Sequence, residues 1–191
     1  MEMKGERLLP ADRATAWRLL NDPETLKQCL PGCESMTDTG DGSYEVAMTA
    51  AVGPVKARFK GKMSLADVEP PERYRLVFEG QSAQAGFARG QARVALETVS
   101  PLETRLLYAA TAQIGGKLAQ IGSRLIDAAA AATAERFFEA FALQLTAATQ
   151  APGAAAAGAA GAAPAPAPPA QPGFWRWLRS LLRHLFTRRA G

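Results

Sequence analysis

The chain has 191 residues, 48% of them hydrophobic and 21% charged, with a formal net charge of +4. That length supports one sizeable core and excludes a large multidomain enzyme. Five of the bases, Arg176, Arg179, Arg183, Arg188 and Arg189, stand in the last stretch of the chain, where there is no acid, so the rest is close to neutral. A neutral body lacks the clustered basic surface that DNA or RNA requires, and no nucleic-acid partner is expected.

The opening MEMKGERLLPADR mixes charges and has no apolar run of the kind that forms a secretory signal, so a cytoplasmic protein is expected. The two cysteines, Cys29 and Cys33, fit a reducing compartment. No apolar stretch reaches the roughly 20 residues of a spanning helix.

Residues 1–9 read as a strand closed by Pro10. Asp12 then caps a helix through Trp17 to Leu20, and Asp22 followed by Pro23 caps a second that runs to about Leu30. Pro31-Gly32 makes a turn. From Ser35 to Gln113 the apolar period is two. Phe59, Gly61, Met63 and Leu65 alternate with Arg58, Lys60, Lys62 and Ser64, while Tyr74, Leu76 and Phe78 alternate with Arg73, Arg75, Val77 and Glu79. One dry face and one wet face predict a curved antiparallel sheet with a covered concave side. Residues 42–52, 87–99 and 102–113 extend the meander, with turns at Asp41-Gly42 and Ser100-Pro101. Gly115-Gly116 ends it. From Lys117 to Ala147 there is no proline and only Gly122 as a weak point, which predicts one long helix laid across the sheet. The fold class is α+β.

On that helix Leu118, Ile121, Leu125, Ala129 and Ala132 fall on one stripe, large at first and then reduced to methyl groups. Small side chains over a concave sheet leave room for an apolar ligand, but alanine is also the best helix former, so tight packing without a cavity stays open as the alternative. Phe137, Phe138, Phe141 and Leu145 lie roughly half a turn away. They either close one end of the core or dock a partner.

The only histidine is His184, near the C-terminus, so no catalytic triad or metal cluster centred on histidine can form in the body. The spacing in CLPGC matches neither a redox pair nor half of a zinc site, and Cys33 reads as a small apolar residue beside a turn. Gly86-Phe87-Ala88-Arg89-Gly90 lacks the ending of a phosphate loop, so its glycines mark strand ends or bulges. Asp67 and Glu69 read as a solvated sheet edge.

Composition changes at residue 150. Residues 150–173 are almost entirely Ala, Pro and Gly, which makes them a linker between a body at 1–149 and a tail at 174–191. In the tail, Phe174, Trp175, Trp177, Leu178, Leu181, Leu182, Leu185 and Phe186 share one helical face, and Arg176, Arg179 and Arg183 lie opposite. This is the composition of a helix lying in the headgroup plane of an anionic membrane. Each arginine there contributes about 1 kcal/mol. A groove on a protein partner is the competing destination for such a helix.

CLPGCE at 29–34 after Trp17 and Asp22-Pro23, VGPVKARFKG at 52–61 and GFARGQARVAL at 86–96 together resemble the carbon monoxide dehydrogenase G-subunit family, of the START-like helix-grip superfamily. The resemblance covers about residues 1–146. It implies a helix-grip domain whose long helix closes a hydrophobic cavity. It also implies a place at the inner face of the cytoplasmic membrane beside molybdenum CO dehydrogenase or a related respiratory oxidoreductase, with quinone carried between bilayer and enzyme. No catalytic residue carries over. Pro31, Gly32, Phe59, Gly61, Phe87 and Gly90 are the motif positions that read as architectural.

Three functions are therefore in competition. The first is a non-enzymatic carrier with no covalent cofactor, holding an isoprenoid quinone or similar lipid between Phe59, Met63, Leu65, Tyr74, Leu76, Phe78, Leu106, Tyr108, Leu118, Ile121 and Leu125. The second is a recruitment adaptor with no cargo, joining membrane to oxidoreductase. The third, a cyclase or hydrolase on the same fold, is opposed by the lack of an internal histidine.

Overall fold

The computed structural model describes residues 1–150, so the linker from residue 151 and the tail at 174–191 lie outside the described residues. The chain forms β1 (Glu2–Leu9), α1 (Arg13–Leu20), α2 (Pro23–Cys29), β2 (Cys33–Asp38), β3 (Ser43–Val52), β4 (Val55–Glu69), β5 (Arg73–Ser82), β6 (Gly86–Ser100), β7 (Glu103–Gly115), a 3-10 helix (Gly116–Ile121) and α3 (Ser123–Gln150).

The first two helices begin where the sequence places them. The Asp12 carboxylate accepts from the Thr15 backbone N–H at 3.0 Å, and the Asp22 carboxylate does the same for Thr25 at 3.0 Å, each satisfying a donor that the helix leaves orphaned. Burial raises the Asp12 pKa, but hydrogen bonds from Thr15 and from backbone N–H groups outweigh it and hold the carboxyl below its ordinary value.

Seven strands form one antiparallel sheet in the order β1-β7-β6-β5-β4-β3-β2. β2 to β7 are a meander, and β1 closes the far side against β7. α1 and α2 therefore carry the chain from one margin of the sheet to the other. Cross-strand pairs such as Met63 with Phe78, Phe78 with Gly90 and Gly90 with Ala112 put residues of like face opposite each other along whole rows. Gly90 has a specific reason to be glycine: a Cβ there would run into the Thr111 carbonyl and the Ala112 Cα of β7. Gly32, in the left-handed region at φ 75°, is likewise pressed against the Thr49 carbonyl.

Asp67 and Glu69 are solvated, as the sequence predicts, on the end of β4 that runs past its last pair with β3, at Ser64. A bulge between Ala66 and Glu69 turns both side chains outward, where they pair with Arg75 and Arg73, each at 2.6 Å. The outermost strands are β1, which points Glu2, Lys4 and Glu6 at solvent, and the six-residue β2, whose register shifts between Cys33 and Ser35.

The long helix departs from its predicted start and phase. Residues 116–121 form a 3-10 turn, Gly122 breaks the chain at φ 99°, and the α-helix begins only at Ser123. That break resets the rotation of the helix. Ile126 is buried, whereas Leu125 is 50% exposed and Ala132 faces solvent. The packed face runs instead through Ile126, Ala130, Ala134, Phe137, Phe138, Phe141, Leu145 and Ala148. The aromatic set that the sequence assigns to a second face is thus the principal one, with Phe141 and Leu145 both 0% exposed. Of its two assigned uses, closing one end of the core is the one observed.

Candidate functional site

Face alternation and register place Phe59, Met63, Leu65, Tyr74, Leu76, Phe78, Leu106 and Tyr108 all on the helix-facing side of the sheet. They do not share one environment. The apolar interior divides into two packed clusters. The larger gathers α1, α2 and the second half of α3 around Leu9, Leu19, Leu20, Leu96, Leu106, Phe141 and Leu145. The smaller gathers Ala57, Phe59, Ala85 and Leu118 beneath the 3-10 turn, with Ile121 at its margin. Leu106 therefore belongs to one core, Phe59 and Leu118 to the other, and Tyr74 is buried edge-on against Trp17, ring centroids 5.6 Å apart. These four side chains are already covered by the protein itself.

Between the clusters lies a band that is apolar but only half-buried: Met63, Leu65, Leu76, Phe78 and, on the neighbouring strands, Ala92 and Ala110. Leu65 pairs with Leu76, Leu76 with Ala92, and Ala92 with Ala110, so these groups form one continuous row. α3 makes its principal approaches to the sheet at β3 and β1, close to the two margins, and the segment between presents Ala130 and Ala134. Methyl groups on the helix and small residues on β6 and β7 leave these larger side chains incompletely covered. In a close-packed interior they would be in contact on all sides.

Aromatic rings wall the band on the side of the larger core. Tyr108 lies 5.4 Å from Phe138, and Phe137 stacks on Phe141 at 5.7 Å. The Tyr108 ring passes over Gly5, where a Cβ would meet its hydroxyl at 2.6 Å. At the end of β2 Asp38 stands opposite Tyr44, and the charged side chain on the inner face of β1 is Arg7. It pairs with Glu135 of α3 and lies 5.4 Å from the centre of the Phe138 ring, so its charge is already matched. Burial raises the Tyr74 pKa, and burial with Asp38 and Asp22 raises that of Tyr44, so both are neutral donors at physiological pH.

The outer face of the sheet carries several grooves, two of them of about 780 and 710 Å³. The first has Leu107 and Ala109 in its floor and Lys4, Arg75 and Arg93 on its rim. Both are wide open to solvent and have no helix above them, so they lack the enclosure that an apolar ligand needs. Phe87 of the third sequence motif lies on this outer side, across Gly115, and Arg89 sits 5.8 Å above its ring. Cys29 is buried and Cys33 half-buried, both as free thiols whose pKa values burial pushes up. The described residues bring no three His, Cys, Asp or Glu side chains together around a common point.

The half-buried band is visible in the sequence as the dry side of alternating strands. Its separation from the two cores is not, because Met63 and Phe59 carry the same pattern signal. The contributions of Ala92, Ala110, Ala130 and Ala134 escape sequence reasoning for a related reason, since a methyl group that leaves space and one that fills it look alike.

A helix laid over a curved seven-stranded antiparallel sheet, with its middle held off by alanines, is the helix-grip arrangement of START-like proteins. The family model that describes the G subunit of carbon monoxide dehydrogenase (CoxG) matches residues 5–146. The chain belongs to that family. A search of curated proteins gave no match. Among solved structures, the chain is similar to a conserved protein from Geobacillus kaustophilus, at 25% identity and a TM-score of 0.73, over 77% of this chain and 96% of that one. It is also similar to a START superfamily protein from Mycobacterium smegmatis, at 11% identity and a TM-score of 0.58, over 78% and 99% of the two chains. An aromatase/cyclase from Streptomyces is similar at 14% identity and a TM-score of 0.59, over 80% and 98%. At these two lower identities the likeness concerns the fold. CoxG membership and the helix-grip fold together mark a ligand-binding protein.

Proposed function

We propose that this CoxG-family protein is a non-enzymatic carrier of a neutral isoprenoid lipid, with a quinone as the leading cargo. It loads at the inner face of the cytoplasmic membrane and delivers to CO dehydrogenase or a related respiratory oxidoreductase. The observation that carries this reading is the half-buried band of Met63, Leu65, Leu76 and Phe78 between two complete cores. Covering such a band with a ligand removes apolar surface from water at about 25 cal/mol per Å². Arg7, the one inner-face cation of the sheet among the described residues, is matched by Glu135, which disfavours a carboxylate or phosphate cargo. The hydroxyl of Tyr108, which is half-buried beside the band, is the available donor for a quinone carbonyl.

The tail at 174–186, with Trp175 and Trp177 beside Arg176 and Arg179, supplies the membrane attachment in this scheme. No described helix is long and apolar enough to span a membrane.

The test is native mass spectrometry of gently purified full-length protein, followed by extraction of what is bound. A co-purifying neutral lipid, lost in Ala92→Phe while the fold is retained, is the expected result. Protein that is consistently empty, and that takes up no quinone from vesicles, overturns the carrier in favour of the cargo-free adaptor.

A further inference from the structure

One end of the domain brings exposed apolar groups and unpaired cations together. It consists of the β3–β4 turn at Val52–Val55, the 3-10 helix at Gly116–Ile121 and the first turn of α3. Leu125, half-exposed on that first turn, comes within 3.6 Å of the position a Cβ would take on Gly53, and Ile121 within 3.7 Å, so turn and helix meet through apolar groups. Pro54 and Ala51 are exposed beside them, and Val52 and Val55 are half-exposed.

Around this apolar tip stand Lys56, Lys117 and Arg124, all exposed and none in an ion pair with a described residue. The acid that accompanies them is Asp127. The opposite end of the sheet also exposes apolar groups, Val68, Val99 and Leu102, but its cations Arg13 and Arg105 are paired with Glu72 and Glu97. Apolar side chains projecting from a ring of unpaired cations are the features by which a surface enters the headgroup layer of an anionic bilayer.

We infer that this end of the body is itself a docking surface for anionic membrane, distinct from the tail. The half-buried band lies directly behind the smaller core that the 3-10 helix covers, so docking here sets the bilayer against the short route to the site. The value of that route rests on the carrier reading, whereas the docking does not. The docking predicts that lipid transfer proceeds by collision with the membrane, not by release into water.

The experiment measures binding to vesicles of phosphatidylcholine with about one third phosphatidylglycerol, using residues 1–150, a span that similar solved chains show to be a complete fold. Salt-sensitive binding is expected for residues 1–150, absent on neutral vesicles. Replacing Lys56 and Arg124 by Glu lowers it at least about tenfold, since each cation near such a surface contributes roughly fivefold. Reversing Lys60 and Lys62, on the outer sheet face, leaves it within about twofold. Equal loss from both pairs, or no binding by residues 1–150, overturns the surface assignment.

In the full chain the same Lys56→Glu and Arg124→Glu changes slow quinone transfer between vesicles while tail attachment persists. A transfer rate independent of acceptor-vesicle concentration overturns the route. Docking that survives in protein shown to carry no lipid defeats the carrier reading alone.

Discussion

One face of one sheet is finished in two ways. Where β1, β6 and β7 lie under the second half of α3, Phe137, Phe138, Phe141 and Leu145 fill the space and nothing is left exposed at the centre. A few residues earlier the same helix presents Ala130 and Ala134, and the side chains below, Leu76 and Phe78 among them, remain half-buried. The contrast shows that the domain derives its stability from its packed ends, which leaves the middle free to be shaped for something else.

The contrast is broken most directly at the filled end. Phe141→Ala removes a ring with no exposed surface and should cost about 3–5 kcal/mol, read as a fall in urea midpoint at unchanged slope. Leu76→Ala in the half-buried band should cost clearly less, about 1–2 kcal/mol, because that side chain already meets solvent. Equal losses would mean that the middle is as tightly packed as the end.

Asp12→Ala removes the α1 cap and should cost about 1 kcal/mol. Because the folded carboxyl titrates below its unfolded value, the cap's contribution is complete above the unfolded pKa. It is lost as pH falls through the folded one, so the difference between Asp12 and Ala should shrink in acid. Smallest of all, Cys33→Ser should shift stability by no more than about 0.5 kcal/mol, since that thiol is half-buried at the start of β2. At neutral pH both cysteines should react slowly with alkylating reagents because burial keeps them protonated.

Much of this architecture is legible in the residues themselves. Asp12, Asp22 and Pro23 announce their helices by cap chemistry, and Arg75, Val77 and Glu79 mark the wet side of β5 by strict alternation. The rotation of α3 is hidden for a physical reason. Lys117 to Ala147 reads as one helix only if Gly122 continues it, and its φ of 99° instead restarts the count at Ser123. Leu118 and Ile121 thereby leave the helical stripe and join the smaller core with Phe59. A run of alanines from Ala128 to Ala132 carries no phase information that would expose the slip.

The margins of the sheet carry a last consequence. Free strand edges invite pairing with strands of other molecules, which is the usual start of ordered aggregation. Here β1 alternates Glu2, Lys4 and Glu6 toward solvent and stops at Pro10, while β2 is short and irregular in register. The sheet, whose inner face leaves Leu76 and Phe78 partly uncovered, thus guards both ends of its hydrogen-bonding ladder. Both margins therefore oppose strand-to-strand pairing between molecules.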